Sequence, residues 1–407
     1  LSVPTNASST QTINAAWQEG NAPMANSKPG YGTLISNNTT GNGYDFASTT
    51  VAFKKLVNNT WVNVGVSGTN TAINSADAYM LYIRGDRSVG AGAPAGPTTL
   101  RTTGDIKMNN ISKAVTASTP TVVNFTAVGN PYASAIDLRK LTYTSVTKIV
   151  YAWDPSLPGT FGLGGYQTLT FNGLNFIATP GGGAFFNTPT CNYIQSGLAF
   201  LVKGNVGTAG TLTFSETAKT PLSLPASRTA AGDPQTLRMH LVSVTGNVMK
   251  DGLMAEFDGA YSNSFDDEDA PKQLNSYENT GIKVGAKILS VERHALPQDN
   301  DSIQIYVSNL FNGNYNWVIK SENLALPGLN AYLEDKYMAS SVLLNLTDSN
   351  FIQFTVDNNA ASKANDRFKI VFKQSTVLPV HFTGIQAIRN DKTFADIRWH
   401  AENEINI

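Results

Sequence analysis

Cysteine is almost missing from this sequence. Cys191 stands alone in 407 residues, so no intrachain disulfide can hold the fold. A single thiol fits either a reducing compartment or a secreted protein that avoids thiols. The Ser, Thr and Asn content favours the second. Charge is scarce as well, at 14% of residues against roughly a quarter in ordinary globular chains. With a formal net charge of −1, nothing electrostatic points to nucleic acid or to an anionic membrane surface. No apolar run approaches the roughly 20 residues a spanning helix needs, so no membrane insertion is expected. The four histidines, His240, His294, His381 and His400, lie far apart and show no metal-ligand spacing. There is no G-x-S-x-G elbow, and neither Gly162–Gly165 nor Gly181–Gly183 has the strand-to-helix context of a phosphate loop. The expectation is a protein that is not an enzyme. The chain opens at Leu1 instead of Met, which suggests that an N-terminal portion lies outside it.

Helical periodicity is the last thing in short supply. One segment, Ser134 to Leu141, reads as a short helix, with Ser134 as N-cap and Asp137 three residues later. Almost everything else alternates with period two or forms β-branched and aromatic runs between turn residues. Strands are expected at Val51–Val57, Trp61–Val66, Ala78–Arg84, Leu100–Met108, Thr119–Val128, Lys148–Trp153, Leu174–Ala178, Leu198–Lys203 and Thr211–Phe214. A Ser/Pro/Ala/Gly segment, Leu222 to Pro234, reads as a linker. Nine further strands follow between Thr236 and Phe372. The fold class is therefore all-β, as tandem β-sandwich domains of jelly-roll or Ig-like type with very little helix. The expected division is residues 1–221, a linker at 222–235, a second sandwich at 236–375, and a third module opening at 376–407.

Nine short phrases follow one another along the chain. They are AYMLYIRGDR (78–87), TTLRTTGDI (98–106), VGNPYASAIDL (128–138), IVYAWDP (149–155), IQSGLAFLVKG (194–204), LRMHL (237–241), FDDEDAPK (265–272), AYLEDK (331–336) and DRFKIVF (366–372). This ordered set resembles the large modular surface proteins of Bacteroidota exported by the type IX secretion system. The tail, with Leu378-Pro379-Val380, Phe382 and Trp399, resembles the opening of the Ig-like module that precedes the sorting domain in that family. The resemblance implies an extracellular, cell-surface-associated β protein and no enzymatic chemistry.

Candidate sites follow from residue type and context. Asp266, Asp267 and Asp269, with Glu268, form an acidic loop of the kind that offers oxygen ligands to Ca²⁺, although the D-x-D-x-D-G spacing is absent. Lys272 could neutralise the loop instead. Asp299-Asn300-Asp301 is a second acidic turn. Tyr166, Phe185 and Phe186 crowd the Gly-rich stretch 162–183, and exposed rings of this sort can stack on a glycan; packed between sheets they would be core. Arg84-Gly85-Asp86 spells an integrin-recognised tripeptide, or else an ion-pair corner. Gly129-Asn130-Pro131-Tyr132 reads as a turn. In the tail, Val380, Phe382, Phe394, Ile397 and Trp399 mark two strands that cannot bury a core alone. They could pair with a neighbouring subunit by strand addition. The expected partners are other copies of the chain, neighbouring surface proteins, or glycans. The leading reading is a structural or adhesive surface protein. The alternative is a carbohydrate-binding module of a larger secreted protein. A hydrolase built from distant residues would need a carboxylate pair in a deep pocket.

Overall fold

The computed structural model describes residues 1–6, 11–20, 29–38, 41–49, 51–64, 68–73, 76–88, 97–155, 157, 164–182, 191–221, 235–375, 381–389 and 395–402. The chain is all-β. Among these residues the one α-helix is Ile13–Trp17, capped by Thr12. The expected linker at 222–234 lies outside the described residues.

The first hundred residues form a small core around Trp17. Its ring meets Phe53 and Tyr79 edge-on at 5.5 and 5.9 Å. Phe53 and Tyr79 come from neighbouring strands of a three-stranded sheet, Thr60–Asn63, Phe53–Val57 and Tyr79–Leu81. A five-stranded antiparallel sheet follows, in the order Phe176–Thr179, Gly165–Phe171, Ile149–Asp154, Ala199–Lys203 and Phe125–Gly129. One face of it packs with two three-stranded sheets around Val128, Val150, Phe176, Phe200, Phe214 and Cys191. Burying each large ring contributes about 2–3 kcal/mol.

From Gln235 to Gln374 the strands run in one hydrogen-bonded path, apart from Ala270–Pro271, which branches off Lys287–His294. Its ends are Ser340–Leu343 and Asn350–Val356. Strands from both ends of that path share one core. Trp317, Phe354 and Phe368 meet there with ring centroids 4.7 to 5.6 Å apart. All neighbours are antiparallel except Val248–Phe257 and Lys287–His294. The charged residues of the nine phrases are spent here on structure. Arg367 forks onto Asp335 at 2.7 and 2.9 Å and also donates to the carbonyls of Thr355 and Ser362. A buried ion pair of this kind is completed by those extra hydrogen bonds.

Three expectations are corrected. Ser134–Leu141 is not an α-helix. Ala135–Asp137 is a strand paired on both sides, and Leu138–Lys140 is a 3₁₀ turn. Asp137, not Ser134, caps that turn by accepting from Arg139 N at 3.0 Å. Sheet pairing outweighs the weak local capping pattern. The segment 100–108 contributes only Asp105–Ile106, with Ile106 and Met108 exposed. Gly165–Phe171, absent from the expected strands, lies inside the five-stranded sheet.

The first and second regions share a packed seam. Ile149, Tyr151, Tyr166 and Leu201 form one cluster with Met254, Ala270 and Val291. Backbone carbonyls of the first region accept side chains of the second, as in Arg293 to Phe171 O at 2.8 Å and Tyr277 to Gly164 O at 2.6 Å. The tail strands, His381–Arg389 and Ala395–Glu402, pair with each other and with no other strand among the described residues.

Candidate binding site

A cavity of about 520 Å³ opens where the strand Tyr79–Leu81 meets the end of the five-stranded sheet. Its size is that of a small-ligand site, about 300–1,000 Å³. Trp61, Tyr82, Trp153, Tyr166 and Phe200 supply rings to the wall. The register explains their convergence. Trp153 sits opposite Tyr166, and the rings meet edge-on at 4.9 Å. Trp61 Nε1 donates to Tyr166 Oη at 2.9 Å, tying the small N-terminal sheet to the larger one. Burial pushes the Tyr166 hydroxyl up to about 12. Tyr82 is 46% and Ile83 40% exposed at the rim, so the rings are reachable. Among the described residues no carboxylate, side-chain amide, imidazole or lysine side chain lines the wall, but the amino group of Leu1 does, and burial pulls it down to about 5. Such a surface can hold an apolar or ring-bearing group.

The acidic loop lies elsewhere, at the seam. Its carboxylates are already engaged. Asp269 accepts from Arg293 N and Asp266 N at 2.9 and 3.0 Å, Asp266 accepts from Glu268 N at 2.8 Å, and Asp267 accepts from Val206 N at 3.2 Å. No three acidic, His or Cys side chains converge to hold a metal among the described residues. The neutralising cations are Lys203 and Arg293. Lys203 is buried, donates to Asp269 O at 2.8 Å and lies 3.9 Å from Asp267. Burial pulls its ammonium down to about 8, against the pull of Asp267 and Asp269. Lys272, expected in that role, instead pairs with buried Asp251 at 2.6 Å. Burial raises Asp269 to about 6, and burial beside Asp269 raises Glu292 to about 8. Glu292 stands opposite Asp269 by continuation of the Ala270–Val291 register, and among the described residues its Oε2 has no partner.

The other sequence candidates separate. Tyr166 belongs to the cavity wall; Phe185 and Phe186 lie outside the described residues. Asp86 accepts from Gly30 N and Ser88 N, both at 2.7 Å, so its carboxylate is turned to its own loop. Arg84 stacks over Phe46, while buried Arg87 pairs with Asp45 at 2.7 Å. Asn130 is a turn centre that donates to three carbonyls and accepts from Tyr132 N. Asp299 and Asp301 accept backbone N–H groups, from Gln374 and Gln298. His240 bonds Pro180 O and His294 bonds Ala295 O, well apart in the fold. In the tail, Ile397 is 62% exposed; Phe382 and Trp399 lie in the paired strands, and Val380 and Phe394 lie outside the described residues. Sequence reading missed Trp61, Tyr82 and Trp153 as site residues. The signal was present, since two of them sit in AYMLYIRGDR and IVYAWDP.

No curated protein and no solved structure matches the chain. One family model does, across residues 21–372, from the Trp17 region through the seam to the last strand of the second sheet and short of the tail. The chain belongs to that family, described as a domain of unknown function (DUF8693).

Proposed function

We propose that this chain is a non-enzymatic, extracellular structural or adhesive surface protein whose aromatic cavity holds part of a partner. The cavity is the observation that carries this reading. It is reachable from solvent and ring-lined, and among the described residues no carboxylate, imidazole or lysine side chain lines its wall. The titratable groups that could do chemistry, Lys203, Asp269 and Glu292, are instead buried in the seam between two regions. Low charge and the ordered surface-protein phrases support an extracellular place. The test is equilibrium binding, followed by tryptophan fluorescence, to soluble polysaccharides and to extended peptides. Saturable binding that Trp153→Ala abolishes supports the reading. Turnover of a substrate that survives Trp153→Ala contradicts it.

The carbohydrate-binding alternative draws on Tyr166, Trp61 and Trp153 sharing one cavity. A buried sugar hydroxyl also needs a polar partner, and among the described residues the wall supplies indole, phenol and backbone groups and the Leu1 amino group. Assembly through the tail is a second reading, favoured by Ile385 and Ile397, which are 73% and 62% exposed on one face of the hairpin. Mass photometry of the double variant Ile385→Lys, Ile397→Lys tests it. Self-association unchanged by that variant would end it.

A further inference from the structure

Lys272 and Asp251 stand apart from the other ion pairs of the chain. Among the described residues, theirs is the one lysine–carboxylate pair with both side chains sealed, at 3% and 0% exposed, and Nζ lies 2.6 Å from Oδ1. Lys203 faces a carboxyl that is 36% exposed, at 3.9 Å, and Lys250 lies 3.7 Å from Glu278. The other deeply buried pairs, Arg87–Asp45 and Arg367–Asp335, hold guanidinium groups, which stay charged and are not nucleophiles. Lys272 and Asp251 come from different strands. Asp251 lies where the pairing of Gln235–Ser243 with Val248–Phe257 is shifted, and such bulges re-aim side chains. Lys272 follows Ala270–Pro271, and its backbone N donates to Ile288 O at 2.8 Å. Both ends of the contact are oriented. Lys272 Nζ also donates to Gly252 O at 3.3 Å. Asp251 Oδ2 accepts from Thr280 N at 2.8 Å, and the Gly252 N–H donates to the same carboxyl. Burial holds the Asp251 carboxyl above its usual range in spite of the lysine beside it.

We propose that Lys272 and Asp251 form a modification site, where Nζ and Cγ join in an intramolecular amide bond. Two buried charges without water are costly. Passing one proton from Nζ to Oδ1 cancels both and leaves an amine beside a carboxylic acid. The amine lone pair then attacks Cγ. The Oδ2 oxyanion that forms is held by the Thr280 N–H, with the Gly252 N–H on the same carboxyl, as donors hold the oxyanion in other acyl transfers. Oδ1 leaves as water, carrying the proton it took first and a second one from Nζ. One C–N bond forms, one C–O bond breaks, and nothing is oxidised or reduced. Holding the two groups in contact replaces the activation that amide formation needs in water, and a single turnover suffices. The bond ties Val248–Phe257 to the segment after Ala270–Pro271, with the acidic loop between them. It constrains the unfolded chain as a disulfide does, in a sequence whose single cysteine can form none within the chain. It does not depend on what the cavity binds.

The test is the intact mass of the full chain, purified folded and then measured in denaturant, so no variant has to fold. The expected mass is that of the sequence less one water. Tryptic digestion of the denatured chain should then yield one branched peptide that joins the Asp251 and Lys272 segments, with no cleavage after Lys272. Lys272→Arg keeps the charge and removes the nucleophile, and it should show its full sequence mass. A folded chain of full sequence mass overturns the proposal and leaves an ion pair. A missing water that tandem mass spectrometry places at other residues, or one that persists in Lys272→Arg, overturns it as well.

Discussion

Replacing Glu292 with Gln should make the protein more stable at pH 8 and change little at pH 4.5. Glu292 is 4% exposed, its Oε2 has no partner among the described residues, and it stands opposite Asp269 by continuation of the Ala270–Val291 register. Its folded pKa is raised from 4.5 to about 8. Below pH 4.5 the carboxyl is protonated in both folded and unfolded chains, and no penalty exists. Between pH 4.5 and 8 the folded chain keeps a proton that the unfolded chain has lost, so stability falls as pH rises. Above pH 8 the full penalty remains. At about 1.4 kcal/mol per pH unit the interval bounds the loss at about 5 kcal/mol, and relaxation around the buried carboxyl leaves about 2–3. Gln is neutral throughout and removes this slope. Lys203 does not interfere, because its own folded value near 8 affects stability only from there upward. Asp269 contributes the same slope to both proteins, between its usual range and about 6. Thermal melts at pH 4.5 and 8 should show the variant gaining about 3–5 °C on the parent at the higher pH only. Identical pH slopes for the two proteins would refute the placement of a protonated carboxyl in the seam.

Other consequences are checked more simply. Gly165→Ala would place a Cβ 2.4 Å from Tyr277 Oη, so it should destabilise the chain by about 2–3 kcal/mol in urea melts. Trp61→Phe keeps most of the ring and loses the bond to Tyr166, which should cost about 1 kcal/mol by the same measurement. Lys203→Met leaves the Asp269 carbonyl without its buried donor, and a loss of about 1–3 kcal/mol is expected in thermal melts at pH 7. Adding Ca²⁺ at millimolar concentration should leave the melting temperature unchanged, since the Asp266, Asp267 and Asp269 carboxylates are already bonded to the protein.

Alternation made most of the second region legible. Ser302–Ser308 and Leu329–Asp335 carry inward and outward residues in strict turn, and period two finds such strands directly. Gly165–Phe171 stayed hidden because it is buried on both faces, so six of its seven residues are buried and no alternation shows. The Ser134 segment misled because its capping pattern is local while its sheet partners lie more than fifty residues away. Sequence spacing showed the acidic loop but not its counter-ions. Lys203 and Arg293 reach it only through folding, and nearby Lys272 turns to Asp251. The cavity was half legible. Tyr166 stood out among aromatics, but its partners Trp61 and Trp153 lie on other strands, and only pairing brings them together.

The central proposal is that the ring-lined cavity grips part of a partner. Tryptophan fluorescence of the full chain, titrated with extended peptides and with soluble polysaccharides, tests it most directly. The account predicts a saturable change that Trp153→Ala removes while the thermal melt of the variant stays cooperative. A ligand that binds equally well to the folded Trp153→Ala protein would contradict it.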